Sequence, residues 1–330
     1  MGSVLPRLGD VFAGRYRVIQ ALRHDGEGDV YRVRDDLLAR DVALKIFHLD
    51  PAAASAHPRR LAGARALTAR DHPSLVTLYD AHLTPEGRGY LVMELIAGPS
   101  LRDHLDTTGP LTPAHAASLL QNIAEGLATI HDAGIVHQHV TSSNVLLRPL
   151  RNAPVPFRGV LAEFRISHLL GHAVQEHAAR SPEDLDDYLP PEQVSGGKPQ
   201  PASDVYALGL LAMEALTGER TLSGGAVQEL LLTPLSYDPE VPTRFGYEWE
   251  LLLTAMTDPD PHKRPTAAEV ADLAAELRGG ERLPAPVSVP AETPEAAEPI
   301  AALRAIDQSR ETASGYRRRR AVWAWVTHYR

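Results

Sequence analysis

The sequence predicts an α+β protein of two lobes: a small antiparallel β-sheet lobe with one main helix, then a larger, mostly helical lobe. Three observations predict it. Short runs of β-branched and aromatic residues, separated by turn-rich stretches, fill residues 15–50 and 75–94. Past Gly98 the apolar residues recur at helical spacing. A length of 330 residues is more than one average domain needs, and 44% hydrophobic content is enough for a real core.

The elements follow in order. Residues 1–13 form an N-terminal segment and residues 14–97 the first lobe. Tyr16-Arg-Val-Ile, Asp29-Val-Tyr-Arg-Val and Val42-Ala-Leu-Lys-Ile-Phe read as strands. Residues 58–70, rich in Ala, Arg and Leu, read as the helix, and two further strands are expected near Leu75–Asp80 and Tyr90–Glu94. The second lobe spans 98–279. Pro113, at a first helical position, opens a helix with Leu119, Leu120, Ile123, Leu127 and Ile130 on its apolar face, closed by Gly134. Ser203 is expected to cap a helix over 204–217 that stops at Gly218. Residues 249–257 and 266–278 complete the helical set. Residues 280–299, with Pro284, Pro286, Pro290, Pro294 and Pro299 among Ala and Glu, have a linker composition, and 300–330 is a helix-compatible tail.

Composition excludes several functions. A net charge of −9 argues against a nucleic-acid binder. The absence of cysteine removes disulfides, thiolate metal sites and Cys nucleophiles, and suits the cytoplasm. There is no signal-peptide-like apolar stretch near Met1, and no apolar run approaches the roughly 18 residues of a membrane span. The 15 histidines are scattered, and His131, His137 and His139 fit no zinc spacing.

The chemistry-bearing motif is His137-Gln-His-Val-Thr-Ser-Ser-Asn144. It resembles the protein kinase catalytic loop, H-R-D-L-x-x-x-N, with its centre replaced: Gln138 stands for the Arg, His139 for the catalytic Asp and Thr141 for the Lys of Ser/Thr kinases. Other motifs fall in kinase order. Val42-Ala-Leu-Lys45 resembles the V-A-I-K strand, Glu163-Phe164-Arg165 stands where D-F-G belongs, and Pro190-Pro191-Glu192 resembles A-P-E. Ser203-Asp204 through Gly209 resembles the large central helix of the second lobe, and Asp258 through Arg264-Pro the segment whose Arg pairs with the A-P-E Glu. Together, over about residues 14–279, they identify the chain as similar to the bacterial, eukaryotic-type (Hanks-type) Ser/Thr protein kinases.

The resemblance implies a split between scaffold and chemistry. Kept residues are structural in the family: a Glu192–Arg264 ion pair, Asp204 accepting from the catalytic-loop backbone, and His137 and Phe164 in the internal packing. Of the phosphate-covering G-x-G-x-x-G, aligned on Arg23-His-Asp25-Gly-Glu-Gly28, only the third glycine, Gly28, remains, and Asp25, Glu27 and Asp29 bring carboxylates toward a polyanion. Gly63 holds the place of the Glu that pairs with Lys45. His139 is bulkier than Asp and places its acceptor elsewhere.

A remnant nucleotide site is also implied: Lys45, Asn144 and Glu163 toward phosphate and Mg²⁺ (the metal on Asn144 and Glu163), and Met93, Glu94 and Ile96 as a hinge for the adenine of ATP. Asn144 reads equally as a turn residue bonding local backbone. The resemblance thus implies a pseudokinase acting as scaffold or allosteric module with a protein partner. The alternatives are a weak or atypical ATP-dependent Ser/Thr kinase or nucleotide transferase, and a non-catalytic nucleotide-sensing switch. With Gly63 in place of the helix Glu, Glu163 is expected to bond Lys45 or Arg165, filling the cleft. The tail Tyr316-Arg-Arg-Arg-Arg320-Ala-Val-Trp-Ala-Trp-Val326 reads as a helix packed back on the second lobe, a protein-docking segment or a membrane-surface helix.

Overall fold

The computed structural model describes residues 6–25, 28–48, 71–83, 88–162, 187–221 and 239–279. The first lobe is a sheet of six antiparallel strands: β1 (Val11–Phe12), β2 (Tyr16–Asp25), β3 (Gly28–Asp35), β4 (Arg40–His48), β5 (Leu78–Leu83) and β6 (Arg88–Met93), in spatial order β1-β2-β3-β4-β6-β5. The fifth strand begins later than Leu75, because Val76 and Leu75 are drawn into contacts with Leu161 of the second lobe. The helix expected at 58–70 lies outside the described residues.

Strand alternation decides what faces the cleft. On β4, Val42, Leu44 and Ile46 pack with Tyr16, Tyr31 and Tyr90 on one face of the sheet. Ala43 faces the other way, against Met93, Val160 and Ala162. Lys45, two residues on from Ala43, shares the Ala43 face and is 6% exposed.

The second lobe opens with α1 (Leu101–Thr108) and α2 (Pro113–His131). A capping box starts α1: Ser100 Oγ accepts from Asp103 N at 3.1 Å and the Asp103 carboxylate accepts from Ser100 N at 3.2 Å. Thr112 caps α2 ahead of Pro113, and Gly134 leaves the helix end with φ +73°. A hairpin of β7 (Val145–Pro149) and β8 (Phe157–Leu161) follows, then α3 (Pro191–Val194), α4 (Pro201–Thr217), α5 (Tyr247–Met256) and α6 (Ala267–Gly279). Leu119, Leu120, Ile123, Leu127 and Ile130 of α2 are at most 1% exposed and form the core with α4, α5 and α6.

The start of α4 corrects the sequence reading. The helix begins at Pro201 with Gln200 as its N-cap, and Ser203 sits inside the first turn. Proline is pre-set for a first helical position, and the Ser203 hydroxyl is engaged elsewhere, donating to Glu192 Oε1 at 2.7 Å and accepting from Gln200 N at 3.2 Å. The helix stops at Gly218 in the left-handed region, φ +84°.

One ion pair ties α3 to the segment before α6. Arg264 bonds Glu192 through both forks, NH1–Oε1 and NH2–Oε2 at 2.9 Å each. It also donates to the carbonyls of Asp258 (2.7 Å) and Ala202 (3.0 Å), and its guanidinium lies 4.7 Å from the Tyr206 ring centroid. The Arg264 side chain is fully buried and that of Glu192 is 11% exposed. Such a pair is tolerated because every charge meets a donor or acceptor. Arg264→Met is expected to destabilise the chain by about 3–5 kcal/mol, since it strands the Glu192 carboxylate. The double variant Glu192→Gln, Arg264→Met should lose less than Arg264→Met alone. Urea unfolding of the wild type, the two single variants and the double variant checks both; a double variant as unstable as the sum of its parts overturns this account.

Candidate functional site

The cleft between the lobes is floored by residues 137–144, whose shape is set from below by Asp204. This carboxylate, 1% exposed on the first turn of α4, accepts from the backbone N–H of His137 at 2.8 Å and of Gln138 at 2.7 Å, and its Oδ2 lies 2.8 Å from His131 Nε2. Gln138 is held at φ +67°, a conformation non-glycine residues rarely adopt. The two bonds to Asp204 supply what holds it there. His137 Nδ1 accepts from His139 N at 3.3 Å. Thr141 is 7% exposed, and its carbonyl accepts from Asn144 N at 3.0 Å. His139, at the catalytic-base position, lines a void of about 20 Å³ together with Thr141, Tyr188, Pro190 and Gln193.

A second buried carboxylate, Glu214 of α4, ties the floor to its surroundings. At 0% exposed it accepts from Arg102 NH1 of α1 at 2.5 Å, from Ser142 Oγ at 2.9 Å and from the Tyr188 phenol O–H. Burial foremost, and the Glu214 charge after it, push the Tyr188 phenol up from its ordinary pKa. The sequence reading did not single out Glu214, Arg102 or Tyr188 for this; residue separations of 112, 72 and 26 leave no local signal.

The roof and back wall enclose a cavity of about 370 Å³, within the range of small-ligand sites. Val30, Ala43 and Met93 line it from the sheet and Leu146 from β7. Glu94, Leu95 and Ile96 form its hinge edge. Glu94 bonds Arg148 NH2 at 2.8 Å, and its N–H donates to Thr77 O at 2.9 Å. Gly98 is obligatory: a Cβ there would lie 2.0 Å from the Leu147 carbonyl oxygen. Gly28 opens β3 opposite Asp25.

Arg23, at the first glycine position of the phosphate loop, crosses the cleft. Its NH1 donates to Asn144 Oδ1 at 2.8 Å and approaches Ser143 O at 3.4 Å. Asn144 is 1% exposed and bonded at both ends of its amide, with Nδ2 donating to His139 O at 3.1 Å. Mg²⁺ fits this donor set poorly. A Mg²⁺ ligated by Oδ1 would sit within about 5 Å of the Arg23 nitrogen. At an effective dielectric of about 20 the repulsion is then roughly 7 kcal/mol. Among the described residues no cluster of His, Asp or Glu could hold a metal ion. Gly63, Glu163, Phe164 and Arg165, with the expected contact of Glu163 to Lys45 or Arg165, lie outside the described residues, as does the 316–330 tail.

His137 carries a pH dependence. Burial, opposed by the Asp204 charge, pulls its pKa down to about 4, against roughly 6.5 in the unfolded chain. Its lowered folded value makes the contribution complete above the unfolded pKa and lost as pH falls from 6.5 toward 4. About 2 kcal/mol should be gone by pH 5. Urea midpoints at pH 7 and pH 5 check this against His137→Gln, in which the difference should shrink; an unchanged difference overturns it.

Residues 16–273 match the family profile described as protein kinase domain. The chain is 35% identical over 276 residues to the serine/threonine-protein kinase pkn2 of Myxococcus xanthus, covering 79% of this chain and 32% of that one. It is 31% identical over 299 residues to PknA of Mycobacterium tuberculosis (86% and 66%), and 29% identical over 283 residues to PrkC of Bacillus subtilis (82% and 41%). It therefore spans between about a third and two thirds of these relatives' lengths. A crystal structure of the Mycobacterium tuberculosis PknI kinase domain, a double mutant, superposes with a TM-score of 0.65 at 22% identity, over 84% of this chain and all of that one. Two lobes, a braced loop at 137–144 and a profile match over most of the chain have one reading: this chain belongs to the protein kinase domain family, and the relatives it resembles are bacterial Ser/Thr kinases.

Proposed function

We propose that the chain is a pseudokinase, a kinase homologue that transfers no phosphate and works through its two-lobed fold as a scaffold or allosteric signalling module for a protein partner. The observation that carries this reading is the Arg23–Asn144 bond. In active protein kinases the catalytic-loop Asn holds a metal ion and the loop Asp takes the substrate hydroxyl proton. Here a guanidinium meets the Asn and His139 stands for the Asp. The floor meanwhile keeps its supports, with Asp204, Glu214 and the Glu192–Arg264 pair all satisfied. Incubation with radiolabelled ATP, Mg²⁺ or Mn²⁺ and generic protein substrates is expected to give no transfer above a Lys45→Ala control. Lys45-dependent transfer would overturn the reading in favour of a weak or atypical kinase, and an AMP adduct seen by mass spectrometry in favour of a nucleotide transferase.

A second reading, a nucleotide-sensing switch, is favoured by the cavity. Its apolar walls of Val30, Ala43 and Leu146 suit a flat ring, and its hinge edge offers backbone polar groups. Bound nucleotide would then bias the lobes and through them a partner surface. ATP at about 100 times its Kd should raise stability by about 2.7 kcal/mol, read as a thermal shift. No shift at millimolar ATP, with and without metal, leaves the inert scaffold.

A further inference from the structure

We propose that the arginine-bearing side of the β7–β8 hairpin is a docking surface for the chain's own acidic stretch, Glu292 to Glu298, which follows α6. The proposal stands whether or not the cleft holds a nucleotide. It begins with two guanidinium groups set against each other. Arg148 and Arg158 are register partners on β7 and β8, and residues directly opposite on paired strands project from the same face, where like charges repel. Arg148 is relieved by Glu94, whose carboxylate accepts from its NH2 at 2.8 Å. Arg158 is half-buried and makes no hydrogen bond or ion pair among the described residues, nor does the exposed Arg151 between the two strands. Glu125 of α2 and Arg158 both lie close enough to His72 to act on its charge, but Glu125 accepts from Gln121 Nε2 at 2.8 Å. None of the three arginines lines the cavity of the cleft.

A partly desolvated cation that faces another cation calls for an anion, and the chain supplies one. Between Arg282 and Arg304 its only charged residues are Glu292, Glu295 and Glu298, set among Pro and Ala. Residues 280–330 lie outside the described residues. The stretch matches the hairpin twice: carboxylates suit guanidinium forks, and Pro and Ala suit the exposed Pro149, Leu150 and Pro154 beside them. Reach is sufficient. Helix α6 ends at Gly279 and packs along α2, and α2 packs on β8, with Leu119 and Ile123 against Gly159. From Gly279 to Glu292 a Pro-rich chain, at about 3.1 Å per residue, spans about 40 Å, enough to pass two elements each about 10 Å across. The tether makes the encounter intramolecular, so individually weak charge contacts are enough to populate it.

The chain has no cysteine, so Ala153→Cys on the hairpin and Ala296→Cys in the acidic stretch each carry one spin label in the full chain. Pulsed electron spin resonance at low ionic strength is expected to show a population of short label-to-label distances. Changing Glu292, Glu295 and Glu298 together to Gln should reduce it about fivefold or more, and this variant leaves the described fold untouched. Arg151→Gln with Arg158→Gln should do the same, whereas Arg151→Lys with Arg158→Lys, which keeps the charge, should retain most of it; thermal melts confirm that each variant is folded. Salt at 1 M, where the Debye length is about 3 Å, should disperse it. The absence of a short population in the wild type overturns the proposal. So does a population indifferent to the Glu→Gln changes, or one lost equally in the Lys and Gln pairs. Short distances between copies that carry one label each place the stretch on a second copy and overturn it as well.

Discussion

The Asp204 carboxylate is the constraint on which the cleft depends. It is buried on the first turn of α4 and meets three donors, two of them backbone N–H groups of the 137–144 loop. An ionised carboxylate survives at such depth only when its oxygens are met. In meeting them the loop is fixed: Gln138 takes its left-handed conformation, His137 turns its Nδ1 to the His139 N–H, and Asn144 ends at the cavity wall. None of this requires Asp at position 139. The loop shape belongs to the helix beneath it, not to the groups that would act on a substrate.

This separation explains how chemistry can be exchanged while the fold stays intact. Glu192, Asp204, Glu214 and Arg264 are charges whose partners are buried with them, so losing one strands another at a cost of several kcal/mol. Gln138 and His139 stand differently: they line the small void of the floor, and the Asp204 bond that fixes the backbone there is made to the Gln138 N–H, whatever its side chain.

The fold was legible because its signals are local or periodic. Alternating Val42, Leu44 and Ile46, Pro113 at its helix start and Gly218 at its helix end each state an element within a few residues. Helix α1 carries a local signal in Ser100 and Asp103 as a capping box, but its eight residues, about two turns, hold too little apolar repeat to mark it as a helix. The Ser203 cap misled because Pro201 makes an equally good start and the Ser203 hydroxyl bonds Glu192, 11 residues away. The site was legible only by motif. Its Glu214 hub joins Arg102, Ser142 and Tyr188 from three separate stretches of chain, and no spacing rule connects them.

Arg23 shows what a motif comparison leaves out. Against G-x-G-x-x-G it counts as a lost glycine, and the neighbouring Asp25, Glu27 and Asp29 make the loop look hostile to phosphate. A missing glycine says that the backbone no longer approaches a ligand closely; it says nothing of where the new side chain goes. That depends on the β2–β3 register, which sets Arg23 opposite Val30, and on a floor 121 residues away that presents Asn144 Oδ1. Once both are known, Arg23 is more than a lost glycine: its guanidinium stands against the catalytic-loop residue that in active kinases holds a metal ion, so one exchange both removes the close backbone approach and covers the oxygen that would meet the metal.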